Sequence, residues 1–315
     1  MRILSLIASI WILAIVFRPI PRIRQTSVRT AVLWAQAFSL VMLAGAVAEL
    51  FVGLSDGWRT LFLWSTAVLG LTPFVDVLGA RRPQHQAWPL FVVAPMILVF
   101  HWPAVAHLVA GGTQSAIEIP APFGLGFVLV VLMGCGNYFG TANTMSAILA
   151  GTGLLLLTLP LTVGTSLGST WQYMGPILLA LAAALTSAPQ RPTDADETAT
   201  GAAQLWVDFC ELFGMVWAKR VMDRVNQFAD REAWAVRLSL FGFVPRTLPP
   251  ESTGDEANER STDTSRRSLA NTAVPDERAT MVLCWVLRRF LDREFMERYV
   301  PAEQIRDSLA PQSRD

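Results

Sequence analysis

The chain has 315 residues, of which 52% are hydrophobic and only 16% are charged, and its formal net charge is +0. An average soluble domain is about 25% charged, so this composition excludes a purely soluble two-domain enzyme and a chain that is disordered throughout. A balanced net charge also argues against a nucleic-acid partner.

The charged residues are unevenly distributed along the chain. Residues 1–190 contain 8 Arg and 4 acidic residues, whereas residues 191–315 contain 17 basic and 21 acidic residues. We therefore predict a transmembrane domain over residues 1–188, followed by a cytosolic region. The three cysteines are far apart and form no Cys-x-x-Cys pair, so we expect neither a disulfide framework nor a metal site. No motif indicates a cofactor.

Seven apolar segments are candidate transmembrane helices, since about 20 apolar residues cross a bilayer. The first is short, because fifteen residues at 1.5 Å each reach only about 22 Å. We retain it as a span rather than a cleaved signal peptide, because it ends in Arg18-Pro19 instead of a small-residue cleavage site. The predicted spans are 3–17, 30–54, 60–78, 87–109, 122–140, 145–165 and 170–188. The fold class is thus an all-α, polytopic integral membrane protein.

The arginines in the short loops predict the orientation of these spans. The loop after the first span contains four arginines and the loop after the third contains Arg81 and Arg82, whereas the loops after spans two, four and six contain only Arg59. Because cytoplasmic loops carry an excess of basic residues, we expect the N-terminus outside and the C-terminus in the cytosol. The expected location is the plasma membrane, which is the inner membrane if the source is bacterial.

Ionisable residues within apolar spans are costly and are candidates for ligand or proton binding. The candidates are Glu49, Asp76 and His101. Glu49 and His101 lie at a similar predicted depth, so they would form a carboxylate–imidazole pair if spans two and four are neighbours. The alternative is that both are structural residues near the lipid headgroups.

Asp76 follows Pro73 by three residues near the inner end of the third span. A proline inside a helix frees a carbonyl group and can bend the helix, so this pair is a candidate gate or binding point. The alternative is an interfacial aspartate that pairs with Arg81 or Arg82.

Small residues and one short motif complete the membrane domain. Gly136, Gly140, Ala147, Gly151 and Gly153 allow helix backbones to approach closely, which we expect within one bundle; the alternative is a dimer interface. The segment Gly164-Thr165-Ser166-Leu167-Gly168 matches Gly-x-Ser-x-Gly, which in a hydrolase requires a strand before the serine. The preceding segment is predicted to be a membrane helix, so an intramembrane serine hydrolase is a remote alternative.

The cytosolic region is predicted to contain two amphipathic helices on flexible connections. Residues 189–204 form a polar linker, 205–245 an amphipathic helical segment, 246–274 a disordered linker, 275–300 a second amphipathic helix, and 301–315 a tail. Residues 205–218 are unusually apolar. They would lie either in the membrane interface or against the second helix.

Three classes of function remain open. The first is a non-enzymatic multi-pass membrane protein that scaffolds or regulates a partner through its cytosolic helices. The expected partners are the lipid bilayer and another membrane or cytosolic protein that binds these helices. The second is a transporter or channel component that uses Glu49, Asp76 and His101. The third is the hydrolase described above.

Overall fold

The computed structural model describes residues 2–18, 21–110, 115–162, 170–187, 201–246 and 277–309. The chain divides into two compact units. Unit 1 comprises Met1–Gln190 together with Phe213–Met215, and unit 2 comprises Arg191–Leu212 and Val216–Asp315.

Unit 1 is helical throughout its described residues, apart from short connections. Helices α5 (Gln84–Trp88) and α6 (Ala94–Val109) are joined by one turn of π-helix, Pro89–Val93, so that they form one continuous helix from Gln84 to Val109. The helices are α1 (Arg2–Val16), α2 (Pro21–Arg24), α3 (Arg29–Phe51), α4 (Asp56–Leu78), α5 (Gln84–Trp88), α6 (Ala94–Val109), α7 (Ala121–Gly136), α8 (Thr144–Thr162) and α9 (Thr170–Ser187).

Four of these helices are long and apolar enough to cross a membrane: Arg29–Phe51, Asp56–Leu78, Gln84–Val109 and Thr144–Leu161. Three shorter apolar helices accompany them, at Arg2–Val16, Ala121–Gly136 and Tyr173–Ser187. The prediction of a mostly helical chain with several apolar helices suited to a membrane is therefore confirmed. The fifth predicted segment, 122–140, is helical only to Gly136, because a turn over residues 137–143 follows.

Helix α4 lies at the centre of unit 1, in contact with α3, α6, α7 and α8. Its Trp64 is fully buried beside Phe100 and Phe127, with ring centroids 6.3 and 5.6 Å away. The Trp64 indole N–H donates a 2.7 Å hydrogen bond to the Phe100 carbonyl oxygen, so this buried donor has a partner. This aromatic group holds α4, α6 and α7 together.

Two side chains complete the hydrogen bonding of α4 where its backbone ladder is interrupted. Pro73 has no N–H, so the carbonyl of Leu69 loses its helical donor. The Thr72 hydroxyl donates to that carbonyl at 2.6 Å. Near the end of the helix, the Trp88 indole N–H donates to the Val75 carbonyl oxygen at 3.0 Å, satisfying one of the carbonyls that every helix end leaves open.

Helices α8 and α9 approach most closely at a pair of glycines. A Cβ atom on Gly153 would lie 2.9 Å from the Gly175 carbonyl oxygen, and one on Gly175 would lie 2.8 Å from the Gly153 carbonyl oxygen. Gly151 is similarly close to the Cys135 sulfur, whereas Gly136 and Gly140 have nothing within 4 Å. The small residues of α8 thus act in packing within the bundle.

Unit 2 contains a long helix, a β-hairpin and three shorter helices among its described residues. The long helix α10 (Gly201–Arg231) is interrupted at Gly214, whose φ of 74° and ψ of 179° are not helical. Strands β1 (Val236–Ser239) and β2 (Gly242–Pro245) are antiparallel, with Ser239 opposite Gly242. The remaining helices are α11 (Glu277–Leu287), α12 (Arg293–Met296) and α13 (Ala302–Leu309).

These elements differ from the two predicted amphipathic helices. The segment 205–245 is helical only to Arg231, because residues 236–245 form the hairpin, and the described part of 275–300 breaks after Leu287. Most of the predicted linkers, 189–204 and 246–274, and part of the tail 301–315 lie outside the described residues.

An aromatic core holds unit 2 together. Trp206 stacks on Phe209, with ring centroids 5.7 Å apart, and Phe290 lies 5.2 Å from Phe209 and 5.0 Å from Trp217. Trp206 and Phe209 are fully buried. The apolar residues of 205–218 therefore pack against the segment that follows α11, in agreement with the second alternative for this segment.

Candidate ligand-binding site

Glu49 is the centre of a group of four charged side chains, which we call the Glu49 cluster: Arg2, Glu49, Asp56 and Arg59. Arg59 Nε donates to Glu49 Oε2 at 3.0 Å, and Arg59 Nη1 donates to Asp56 Oδ1 at 2.7 Å. Arg59 Nη2 donates to the Leu54 carbonyl oxygen at 3.3 Å. All three guanidinium nitrogens of Arg59 are thus engaged, which fixes this side chain in place.

Arg2 approaches the same carboxylate from α1. Its Nη2 lies 3.1 Å from Glu49 Oε1, but the contact lacks hydrogen-bond geometry, so the buried Oε1 atom has no hydrogen-bond partner among the described residues. The Arg2 side chain is 50% exposed and that of Glu49 only 13%. The carboxylate is thus held firmly on one side by Arg59 and loosely on the other by Arg2.

The helical hairpin of α3 and α4 explains why Glu49 and Arg59 meet. The helices are antiparallel and joined by the short segment 52–55. Glu49 lies two residues before the end of α3, and Arg59 lies three residues after the start of α4. These similar distances, at 1.5 Å per residue, place both at nearly the same level. The sequence analysis noted Arg59 only as an isolated loop arginine. This symmetry about the turn is the signal that would have paired it with Glu49.

A cleft lies beside the Glu49 cluster, within unit 1. Its charged rim carries Arg2, Glu49 and Arg59, and three hydroxyl-bearing residues, Ser5, Thr66 and Tyr173, also line it. Its walls are otherwise apolar, and they include Met42, Phe62, Leu63, Leu157 and Pro176. An apolar cleft with a few convergent polar groups is the usual form of a small-molecule site.

His101 lies on α6 and bonds to other groups than Glu49. Its Nδ1 is 2.9 Å from the Ile97 carbonyl oxygen, and its Nε2 is 3.1 Å from the Ser65 hydroxyl on α4. A carbonyl oxygen only accepts, so Nδ1 carries a hydrogen. The expected carboxylate–imidazole pair therefore does not form: Glu49 pairs with arginines, and His101 joins α6 to α4.

Asp76 is buried near the end of α4, far along that helix from the Glu49 cluster. Its hydrogen-bond partner is the Thr30 side chain at the start of α3, rather than Arg81 or Arg82. The second carboxylate oxygen, Oδ2, is buried and has no hydrogen-bond partner among the described residues.

No group of three or more His, Cys, Asp or Glu side chains in the described part of the chain is arranged to hold a metal ion. The Gly-x-Ser-x-Gly segment, residues 164–168, lies outside the described residues.

The β-hairpin of unit 2 presents an apolar tip that the sequence analysis missed. Phe241 is 84% exposed and its neighbour Leu240 is 38% exposed, and Val244, opposite Arg237 on β2, is also 38% exposed. The tip is firmly supported, because the Asn226 side chain bonds to both the N–H and the carbonyl oxygen of Leu238, at 2.8 and 2.9 Å. The Trp206 indole N–H donates to the Ser239 carbonyl oxygen at 2.7 Å.

Arginines near this hairpin are already paired. Arg237 and Arg246 both bind Asp230, the second at 3.3 Å. Arg224 and Arg231 lie over the Phe228 ring, 4.9 and 5.5 Å from its centroid. Two of these arginines share one carboxylate and the other two contact an uncharged ring, so the surroundings of the hairpin keep a net positive charge.

Comparison with known proteins gives no match, either to a family model, to a curated protein or to a solved structure.

Proposed function

We propose that the chain is a non-enzymatic multi-pass membrane protein that scaffolds or regulates a partner protein through unit 2. In this proposal, the seven apolar helices of unit 1 are seven spans, the N-terminus is outside, and unit 2 lies in the cytosol at the plasma membrane. The arginines of the alternate loops support this orientation. The seven apolar helices support the number of spans.

The rigid, apolar tip of the hairpin is the observation that carries the proposal. Scattered exposed apolar residues are ordinary, but Leu240 and Phe241 are adjacent and form the tip of a hairpin that is fixed by Asn226 and Trp206. A preorganised aromatic side chain loses little entropy on binding and is typical of a binding anchor. The partner is expected to offer an apolar pocket to Phe241.

Photo-crosslinking in cells of the source organism tests this proposal. A benzophenone amino acid at Val244 of the full chain is expected to give one discrete protein adduct, which the Phe241→Ser change removes. The same probe at the exposed residue Glu303 is the matched control and is expected not to give that adduct. Adducts only to lipid, no adduct at Val244, or an adduct unaffected by Phe241→Ser would each overturn the proposal.

A second candidate function is that of a transporter or channel component, and Asp76 is the observation that favours it. A buried carboxyl with one unpartnered oxygen in an apolar helix is a candidate cation or proton site. In liposomes containing the purified chain, this function predicts a cation or proton flux that Asp76→Asn abolishes and that Glu118→Gln, at an exposed carboxylate, leaves unchanged. Absence of flux from the unmodified protein would eliminate this candidate.

A further inference from the structure

Arg2 and Glu49 satisfy each other only in part at the rim of the cleft. Arg59 has all its nitrogens engaged, but Arg2 makes one loose ionic contact and keeps the rest of its donors for another group. Glu49 Oε1 is buried without a hydrogen-bond partner among the described residues. A cationic donor group and an anionic acceptor atom therefore stand side by side, 3.1 Å apart.

The charge balance of the cluster defines the kind of ligand that fits. Two arginines and two carboxylates give the cluster no net charge. A ligand with net charge would leave an uncompensated charge in a mostly apolar cleft, which is costly. A ligand with one positive and one negative group preserves the balance and can satisfy both Arg2 and Glu49.

We propose that the cleft binds a zwitterionic amphiphile with a primary ammonium group and a nearby phosphate or carboxylate. The ammonium donates hydrogen bonds to Glu49 Oε1, the anionic group accepts from Arg2, and the hydrocarbon part contacts the apolar walls at Leu63 and Leu157. A site of this kind is independent of partner binding by unit 2.

Two sources supply this chemistry. One is a phospholipid with an ethanolamine headgroup, since the cluster lies at helix ends, where headgroups would be if these helices cross a membrane. The other is a free zwitterion, such as an amino acid with an apolar side chain. A choline headgroup has the same net charge, but its quaternary ammonium has no N–H to donate, so we expect it to bind more weakly.

Ligand binding to the purified full chain in mild detergent tests the proposal. The probes are short-chain phosphatidylethanolamine, phosphatidylcholine and phosphatidylglycerol, and free leucine, with Kd measured by native mass spectrometry or thermal stabilisation. The proposal predicts one of two results. In the first, phosphatidylethanolamine binds at least tenfold more tightly than phosphatidylcholine and phosphatidylglycerol. In the second, leucine alone binds. The first result identifies the lipid source and the second the free zwitterion.

Two variants and one control assign the binding to the cleft. Arg2→Gln and Glu49→Gln are each expected to raise Kd at least tenfold, whereas Glu118→Gln, which removes an exposed carboxylate that does not line the cleft, leaves Kd unchanged. If Glu49→Gln fails to fold, Arg2→Gln decides, because Arg2 is half-exposed. Binding of none of the probes, equal or tighter binding of phosphatidylglycerol, or an unchanged Kd in folded Arg2→Gln would overturn the proposal.

Discussion

The ion pair between Glu49 and Arg59 should contribute measurably to the stability of unit 1. The Glu49 side chain is 13% exposed and that of Arg59 33% exposed, so solvent screens the pair only in part. Groups in direct contact show coupling energies of about 0.5–3 kcal/mol. The partial exposure of Arg59 reduces our expectation to about 1–2 kcal/mol.

A double-mutant cycle measures this coupling. The free energies of unfolding of the unmodified chain, Glu49→Gln, Arg59→Gln and the double variant are obtained by titrating the purified protein in mild detergent with a denaturing detergent. Each single variant removes one counter-charge from the partner, leaving Glu49 with Arg2 or Arg59 with Asp56, so the double variant is expected to lose less stability than the two single losses combined.

The matched control is the same cycle with Glu49 and His101, which bond to different groups. These two changes are expected to be additive within about 0.5 kcal/mol. The reasoning is refuted if the coupling of Glu49 with Arg59 falls below that value, or if the coupling with His101 exceeds it.

Two further predictions concern packing and thiol chemistry. Gly153→Ala is expected to cost about 1–3 kcal/mol in the same unfolding titration, because its Cβ would meet the Gly175 carbonyl oxygen at 2.9 Å. The control is Gly136→Ala, because a Cβ at Gly136 has nothing within 4 Å. Equal stability of the two variants would contradict the packing account. Burial raises the pKa of both Cys210 and Cys284 to about 12, so at pH 8 only about one thiol in 10⁴ is a nucleophilic thiolate. Peptide mapping after iodoacetamide treatment is expected to show Cys210 and Cys284 modified only in unfolded protein, at a rate that rises with pH. Rapid modification of these thiols in the folded chain at pH 8 would contradict their burial.

Much of unit 1 could be predicted because its apolar segments are long and its charges few. The predicted spans 30–54, 60–78 and 87–109 coincide closely with Arg29–Phe51, Asp56–Leu78 and Gln84–Val109. The polar candidates were identified by residue type, but their partners were not. Pairing depends on which helices are neighbours, and α4, which contacts both α3 and α6, supplies a partner to Glu49 and another to His101.

Unit 2 was predicted less well, for two physical reasons. The strands of the hairpin are too short to give a strand pattern as clear as the helical periodicity of the preceding residues. Val236 and Leu238 do alternate with polar residues, as in a half-buried strand. Gly242 adopts a φ of 121°, which favours glycine and closes the turn. The aromatic core also joins segments separated by about 80 residues, and no local pattern indicates such a contact.

The central claim is that unit 1 spans the membrane seven times and places unit 2 in the cytosol. Reporter fusions test it most directly: an alkaline phosphatase, active only outside the cytosol, and a fluorescent protein, which folds in the cytosol, are each joined after Gly112 and after Gln190. The account predicts phosphatase activity only at Gly112 and fluorescence only at Gln190. Phosphatase activity from the Gln190 fusion would contradict the orientation, and with it the access of Phe241 to a cytosolic partner.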